Sequence, residues 1–455
     1  MRAWSPETVA TAAQARLSAP AATETGPERV VIDSRQAGPG ALFVGLRGEN
    51  LDGGRFGAQA LAAGAWGVLV SSEHAREAEA GAPGVVLAAE DPLAALQRLA
   101  RAWRRALGAQ VIAVTGSTGK TSTKDLLLAV LAPQRRTVAS RANFNTEIGV
   151  PLEILSAPAG TEVLVLEMAM RGPGQIAELA AIGEPNVGII VNVGPVHLEL
   201  LGSLEAIAAA KAELIAGLAS GATAIVPAGE PLLEPHLRAD LHTVTFGEGG
   251  DVRLVGAELD RVTIEHRGET IELEVPFTQS HLRTNLLAAV AGAMAVGVRP
   301  AGLVALALSV GRGQSVRLAD GVTLLDDSYN ANPMSMRAAL DHLGATARAA
   351  AAPARRVAVL GDMLELGPQE RRFHAEIGAY ARGVGVDTLI TVGPLAAEIA
   401  RTFDGDAHAV DDAAQAAELV AGLVASGDVV LVKGSRGVGL ELVCRALAGS
   451  VPADA

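Results

Sequence analysis

The run Gly116-Ser117-Thr118-Gly119-Lys120-Thr121 holds the residues best suited to chemistry in this chain. It follows the apolar stretch VIAVT and precedes a helical pattern, the order expected of a phosphate loop. Glycines let backbone N–H groups turn around phosphate oxygens, and the helix N-terminus adds partial positive charge. Gly116, Ser117, Thr118, Gly119, Lys120, Thr121 and Ser122 are therefore expected to hold a nucleoside triphosphate. Lys120 would reach the terminal phosphates, and the Thr121 hydroxyl would ligate Mg2+. Val114 stands where the longer form of this loop has its first glycine, so the loop is the shorter G-x-x-G-K-T. A tight strand–helix turn without a ligand is the alternative.

Two more groups stand at strand ends. Glu167 closes TEVLVLE, and His197 follows NVGIIVNVGPV. Ligands gather at the carboxyl ends of strands in open α/β sheets, so both should face the crevice that holds Lys120. There they could coordinate a divalent cation, directly or through water. For Glu167 a solvated turn is the alternative. Only four of the 37 basic residues are lysines: Lys120, Lys124, Lys211 and Lys433. Lys211 completes the apolar stripe of a helix expected over 204–218, which puts it on the buried side, where the ammonium is disfavoured. It could instead snorkel along its aliphatic stem. Lys433, Ser435 and Arg436 follow the last apolar run, placed to offer charge to a substrate carboxylate or to be a solvated loop.

The elements that must position these groups alternate apolar runs with helical patterns, which indicates an α/β fold with mostly parallel strands. One series starts near residue 110, with helices expected over 122–131, 175–182 and 204–218. A second starts near 321 with VTLLDD, RRVAVLGD, VDTLITVG and DVVLVKG. Residues 251–277 alternate at period two and read as antiparallel strands attached to the middle unit. The expected domains are 1–106, a smaller α/β unit; 107–312, the phosphate-loop unit; and 313–455, a Rossmann-like unit. At 455 residues the chain has room for all three.

Composition narrows the function classes. The net charge of −13 argues against a nucleic-acid binder, and 49% hydrophobic residues supply ample core. The single cysteine, Cys444, permits no internal disulfide and fits a reducing compartment. The N-terminus lacks the apolar run of a signal peptide, and the most apolar stretch, 285–311, is broken by Arg299-Pro300. A soluble, cytoplasmic protein without membrane insertion is expected. No Asn-Lys pair exists to read guanine.

GSTGKT, the Glu167-Met168 strand end, the His197 loop and AAAKAE (208–213) together resemble the Mur ligases, ATP-dependent amide ligases of bacterial cell-wall precursor synthesis, over nearly the whole chain. NFNTEIGVPLEIL (143–155), EMAMRGPGQIAELA (167–180), LLDDSYNANPMSM (324–336), GDMLELG (361–367) and VLVKGSRG (430–437) are similar to the branch that adds D-alanyl-D-alanine. The Asp-Asn-Pro-Arg motif of the branch adding the third amino acid is absent.

The resemblance implies ATP and Mg2+ as cofactors, and UDP-N-acetylmuramoyl-tripeptide and D-alanyl-D-alanine as substrates of a monomer, with an acyl phosphate between them. It implies that 1–106 binds the UDP-sugar peptide through Ser34 and Arg35, 107–312 is the ATPase, and Asn285, Arg312 and Asp327 contact ATP. Asn145 and Thr146 would meet substrate, and Tyr329, Asn330 and Asn332 would line the hinge-side surface. Lys120, Glu167, His197 and Lys211 would be catalytic, with Thr121, Glu167, His197 and a carbamylated Lys211 on metal. Two positions depart from the family pattern: Gly54 stands where His is common, and Leu282 where Asn is usual. A nucleotide-dependent regulatory module and a ligase for a different amino acid are the competing readings.

Overall fold

The phosphate-loop strand, Gln110–Thr115, is third from one edge of a ten-stranded sheet in the computed structural model, which describes residues 1–18, 23–141, 143–319, 321–350 and 352–449. One neighbour is Val163–Glu167 and the other is Val187–Ile190, both parallel to it. The chain thus leaves Gln110–Thr115 toward one side and later returns to the other. That reversal opens a crevice at the carboxyl ends of the three strands. The end of the phosphate-loop strand, Glu167 and the segment after Ile190 meet there because of strand order alone.

Parallel strands Thr223–Pro227 and His242–Phe246 extend the sheet. Beyond them Val252–Ala257, Arg261–His266 and Glu269–Glu274 form the antiparallel ribbon that the period-two alternation predicts.

Helix Ser280–Ala295 buries residues on every side, among them Leu286, Ala288, Ala289, Val290 and Gly292. It is a core helix, packed on the phosphate-loop helix Lys120–Leu131 and the sheet. Gly292 makes the close approach possible: a Cβ there would stand 2.9 Å from Leu127 Cδ2 and 3.0 Å from Ile189 Cδ1. Leu126, Leu127, Ile112, Val114 and Ile189 are all fully buried in that contact. Each such side chain contributes about 1.5–3 kcal/mol of burial.

A five-stranded sheet precedes this unit, running Arg16–Leu17, Val85–Ala89, Gly67–Ser71, Ala41–Val44 and Arg29–Val31, parallel except for the first. A six-stranded sheet follows: Gln314–Arg317, Thr323–Asp326, Val429–Lys433, Arg356–Gly361, Thr388–Val392 and Asp406–Val410. Only Gln314–Arg317 is antiparallel in it. Three α/β domains in series result. Among the described residues no helix is long and apolar enough to cross a membrane.

Three helix boundaries differ from the sequence expectation, one of them by a single residue, where the helix expected over 175–182 spans Gln175–Gly183. The phosphate-loop helix starts at Lys120, two residues earlier than expected, because Gly119 takes a left-handed φ of 76° immediately before it. Lys120 and Thr121 thereby sit in the first helical turn. The Lys211 helix spans Leu204–Ala216 and ends at a Gly217 cap, short of residue 218.

Candidate active site

The phosphate loop is braced from below by a residue that sequence reasoning passed over. Asn192 accepts the Thr118 N–H at 2.9 Å and donates to the Thr118 carbonyl and hydroxyl at 3.2 and 3.0 Å. The Ser117 N–H reaches the Asn192 carbonyl at 3.1 Å, and its hydroxyl exchanges bonds with Gly194. The amides of Ser117 and Thr118 are therefore turned inward, and do not cradle phosphate as the loop pattern suggests. The amides of residues 119–122 have no acceptor among the described residues, as the first turn of a helix requires. These four amides are free to meet an anion. Asn192 had a legible signal, a polar residue two positions past a buried strand.

Gly119 also lets Asn285 approach. A Cβ on Gly119 would stand 2.9 Å from both side-chain polar atoms of Asn285, which is 5% exposed on the core helix. Leu282 points into the apolar core at 2% exposure, so Asn285 is the only one of these two positions that presents an amide to the loop.

Lys120 donates from Nζ to the Gly116 carbonyl at 2.8 Å. Burial lowers its pKa, opposed by the nearby charge of Glu167. Glu167 is 2% exposed; the Asn145 amide donates to its Oε1 at 2.8 Å and the Ser140 hydroxyl accepts its backbone N–H at 3.0 Å. Its Oε2 has no hydrogen-bond partner among the described residues. Asn145 thus orients a carboxylate. The Thr146 hydroxyl accepts the Gly149 N–H at 3.4 Å, ahead of helix Gly149–Ser156.

An unpartnered, buried carboxylate oxygen beside the phosphate loop is an unfinished coordination shell, and it fits a hard divalent cation. Thr121 and His197 line the same cavity. No cluster of three or more His, Cys, Asp or Glu that could hold a metal occurs among the described residues. Phosphate oxygens and water would therefore have to complete the shell, as Mg2+ sites usually allow.

Lys211 is 1% exposed, as the helical stripe predicts. Burial, then the charge of Lys120, takes its pKa well below the ordinary lysine value. Its amine makes no hydrogen bond or ion pair among the described residues. Burial lowers the His197 pKa too, against the raising effect of Glu365.

The C-terminal domain supplies the opposite wall. Asn332 caps helix Pro333–Ala349 in a capping box with Ser335, and Asn330 accepts the Ala331 N–H on its own side chain. Tyr329 lies under two guanidiniums, with Arg312 4.0 Å and Arg436 5.3 Å from its ring centre. The charge expected at Lys433 for a substrate is already met. Its Nζ donates to Asp327 Oδ2 at 2.5 Å and the Asn330 carbonyl at 2.9 Å, and its side chain is 2% exposed. Ser435 is buried, accepting the Leu364 N–H and donating to the Ala331 carbonyl. Arg436 is exposed and keeps its charge available.

These walls enclose one cavity of about 970 Å3, lined by residues 117–122, Asn145, Thr146, Glu167, His197, Asn285, Arg312, Asp327, Tyr329, Asn330, Asn332 and Lys433. Ser34, Arg35, Lys211, Ser435 and Arg436 do not line it. Arg35 is exposed in the 3-10 turn Ser34–Gln36, paired with Asp33 at 2.6 Å, which holds the Asp33 carboxyl down to about 2. At Gly54 the place of a side chain is taken by His74, whose Cδ2 would stand 2.3 Å from a Cβ there.

A phosphate loop at a sheet reversal, a spare carboxylate oxygen and a second α/β domain closing over both define a nucleotide-dependent ligase. Three family models cover most of the chain: the Mur ligase family catalytic domain over residues 28–104, the Mur ligase middle domain over 114–293, and the Mur ligase glutamate ligase domain over 311–436. The UDP-N-acetylmuramoyl-tripeptide--D-alanyl-D-alanine ligase of Bacillus subtilis is 36% identical over 95% of both chains. MurF from Acinetobacter baumannii superposes with a TM-score of 0.86 at 29% identity, over 98% of each chain. MurF from Thermotoga maritima, solved in complex with ADP, superposes at 0.79 with 30% identity over 92% of this chain and 97% of that one. The chain belongs to the Mur ligase family.

Proposed function

We propose that this ligase joins D-alanyl-D-alanine to UDP-N-acetylmuramoyl-tripeptide at the expense of ATP, through an acyl phosphate, as a cytoplasmic monomer. The observation that carries the reading is the cavity in which the amides of residues 119–122 face Tyr329 of the C-terminal domain, with Arg312 stacked on its ring. Similarity over almost the full length to ligases of that name supports the substrate assignment. The proposed units are 1–106 for the UDP-sugar peptide, 107–312 for ATP and 313–455 for closure and the dipeptide.

A carboxylate acylates poorly, so its oxygen must first attack the γ-phosphorus while the bond to the bridging oxygen breaks and ADP leaves. The dipeptide nitrogen then attacks the acyl carbon, loses a proton and expels phosphate. Two anions meet in the first step, and Lys120, Arg312 and the amides of residues 119–122 lower that repulsion. A divalent cation on Thr121, Glu167 and His197 would supply further positive charge at the phosphates. Lys211 is proposed to react as a neutral amine with CO2, releasing a proton and becoming a carbamate, a hard oxygen donor for a second Mg2+. Closure of the C-terminal domain would exclude water from the acyl phosphate.

The test is phosphate release from ATP with each substrate omitted in turn. Release is expected only with both present; turnover indifferent to D-alanyl-D-alanine would remove the assignment.

A further inference from the structure

The motif GDMLELG was singled out in the sequence without a role, and the structure gives one of its residues a partner in the middle domain. Glu365 Oε2 lies 2.5 Å from His197 Nδ1. Its other oxygen, Oε1, lies 3.6 Å from the Arg171 guanidinium. The two residues are 168 positions apart and belong to different domains. The backbone is committed to the same contact: the Glu199 N–H donates to the Glu365 carbonyl at 3.4 Å. Glu365 and His197 both hold left-handed conformations, with φ of 63° and 53°, uncommon for residues other than glycine. Such conformations cluster where the surroundings over-determine a functional geometry. Gly367, at φ 66°, packs so closely on the His197 helix that a Cβ would stand 3.1 Å from Glu199 Cα.

We propose that Glu365 is a positioning residue through which docking of the C-terminal domain orients His197. A carboxylate only accepts, so the imidazole must carry its proton on Nδ1. Nε2 then keeps its lone pair for a cation or the water on it. Carboxylates behind ligating imidazoles act in this way in metal sites generally. Because the carboxylate comes from the other domain, the imidazole is fixed only while the two domains are together. The ATP site is thereby completed by closure and is incomplete when the C-terminal domain swings away. The inference rests on reading the cavity as an ATP–cation site and not on the identity of the amino acids joined.

The test uses the full-length protein labelled with 15N-histidine, with the His197 signals assigned by their loss in His197→Gln. The native protein is expected to show a protonated Nδ1 and an unprotonated Nε2. Glu365→Ala should shift those signals toward the Nε2–H form and weaken Mn2+ binding to the ADP complex, read by electron paramagnetic resonance, by about 10–100-fold. Affinity for ADP without metal should stay unchanged. Glu365→Gln retains volume and an accepting oxygen, so it should keep the Nδ1–H form and lose less Mn2+ affinity. That variant carries the test if the alanine form does not fold. Unaltered His197 signals, or unaltered Mn2+ affinity, in Glu365→Ala would overturn the proposal. So would a Glu365→Gln variant whose His197 signals show the Nε2–H form. None of these readouts depends on ligase turnover, so failure of the substrate assignment is distinguishable.

Discussion

Single residues set the limits of this site through what they leave unsatisfied. Asn192 occupies the Thr118 N–H, its carbonyl and its hydroxyl at once. Removing a partner from such a group costs about 1–3 kcal/mol. Asn192→Ala is therefore expected to loosen the phosphate loop and raise the KM for ATP about tenfold, with a smaller change in the KM for the UDP substrate. Steady-state kinetics with each substrate varied will show whether the loss is confined to nucleotide. Lys211 is buried with no counter-charge among the described residues, which favours its neutral amine. Arginine keeps a charge and cannot form the carbamate. Lys211→Arg should lose activity by more than about tenfold, and Lys211→Ala should recover part of it with short carboxylic acids. Near-native turnover in the arginine variant would exclude the carbamate.

At the scale of elements, the phosphate-loop helix is placed by what lies behind it. Lys120–Leu131 packs on Ser280–Ala295 through a gap that only Gly292 permits. Gly292→Val should cost about 1–3 kcal/mol by overpacking. It should also displace the helix whose first turn carries Lys120 and Thr121, so Tm and nucleotide affinity are expected to fall together. A variant with lowered Tm and native ADP affinity would show that the helix tolerates the shift. The same contact explains why the most apolar stretch of the chain is no membrane span: its first half is a helix buried on all sides inside a domain.

The whole molecule works by bringing separate surfaces together. Ser34 and Arg35 lie in the first domain, away from the cavity lining, and Arg35 is held by Asp33 until something competes for it. Ser34→Ala and Arg35→Ala are expected to raise the KM for the UDP substrate and leave that for ATP nearly unchanged. Equal effects on both constants would take the first domain out of nucleotide-sugar binding. The exposed Arg35–Asp33 pair is worth little to stability, so neither change should move Tm by more than about a degree or two.

Much of this was legible in the sequence because it is local. The strand–loop–helix order around 116–121, the apolar stripe that buries Lys211 and the period-two ribbon over 251–277 each follow from short-range pattern, since backbone geometry fixes which residues share a face. Glu167 and His197 were found because strand order in an open sheet places carboxyl ends in one crevice. What tertiary structure decided is how each polar group spends its hydrogen bonds. Lys433 pairs with Asp327 and Ser435 with backbone; the Ser117 and Thr118 amides serve Asn192, while Glu167 Oε2 is left free. Glu365 meets His197 across 168 residues. Burial makes most donors and acceptors find a partner, but which partner is set by distances between elements far apart in the chain, and spacing along the sequence carries no record of them.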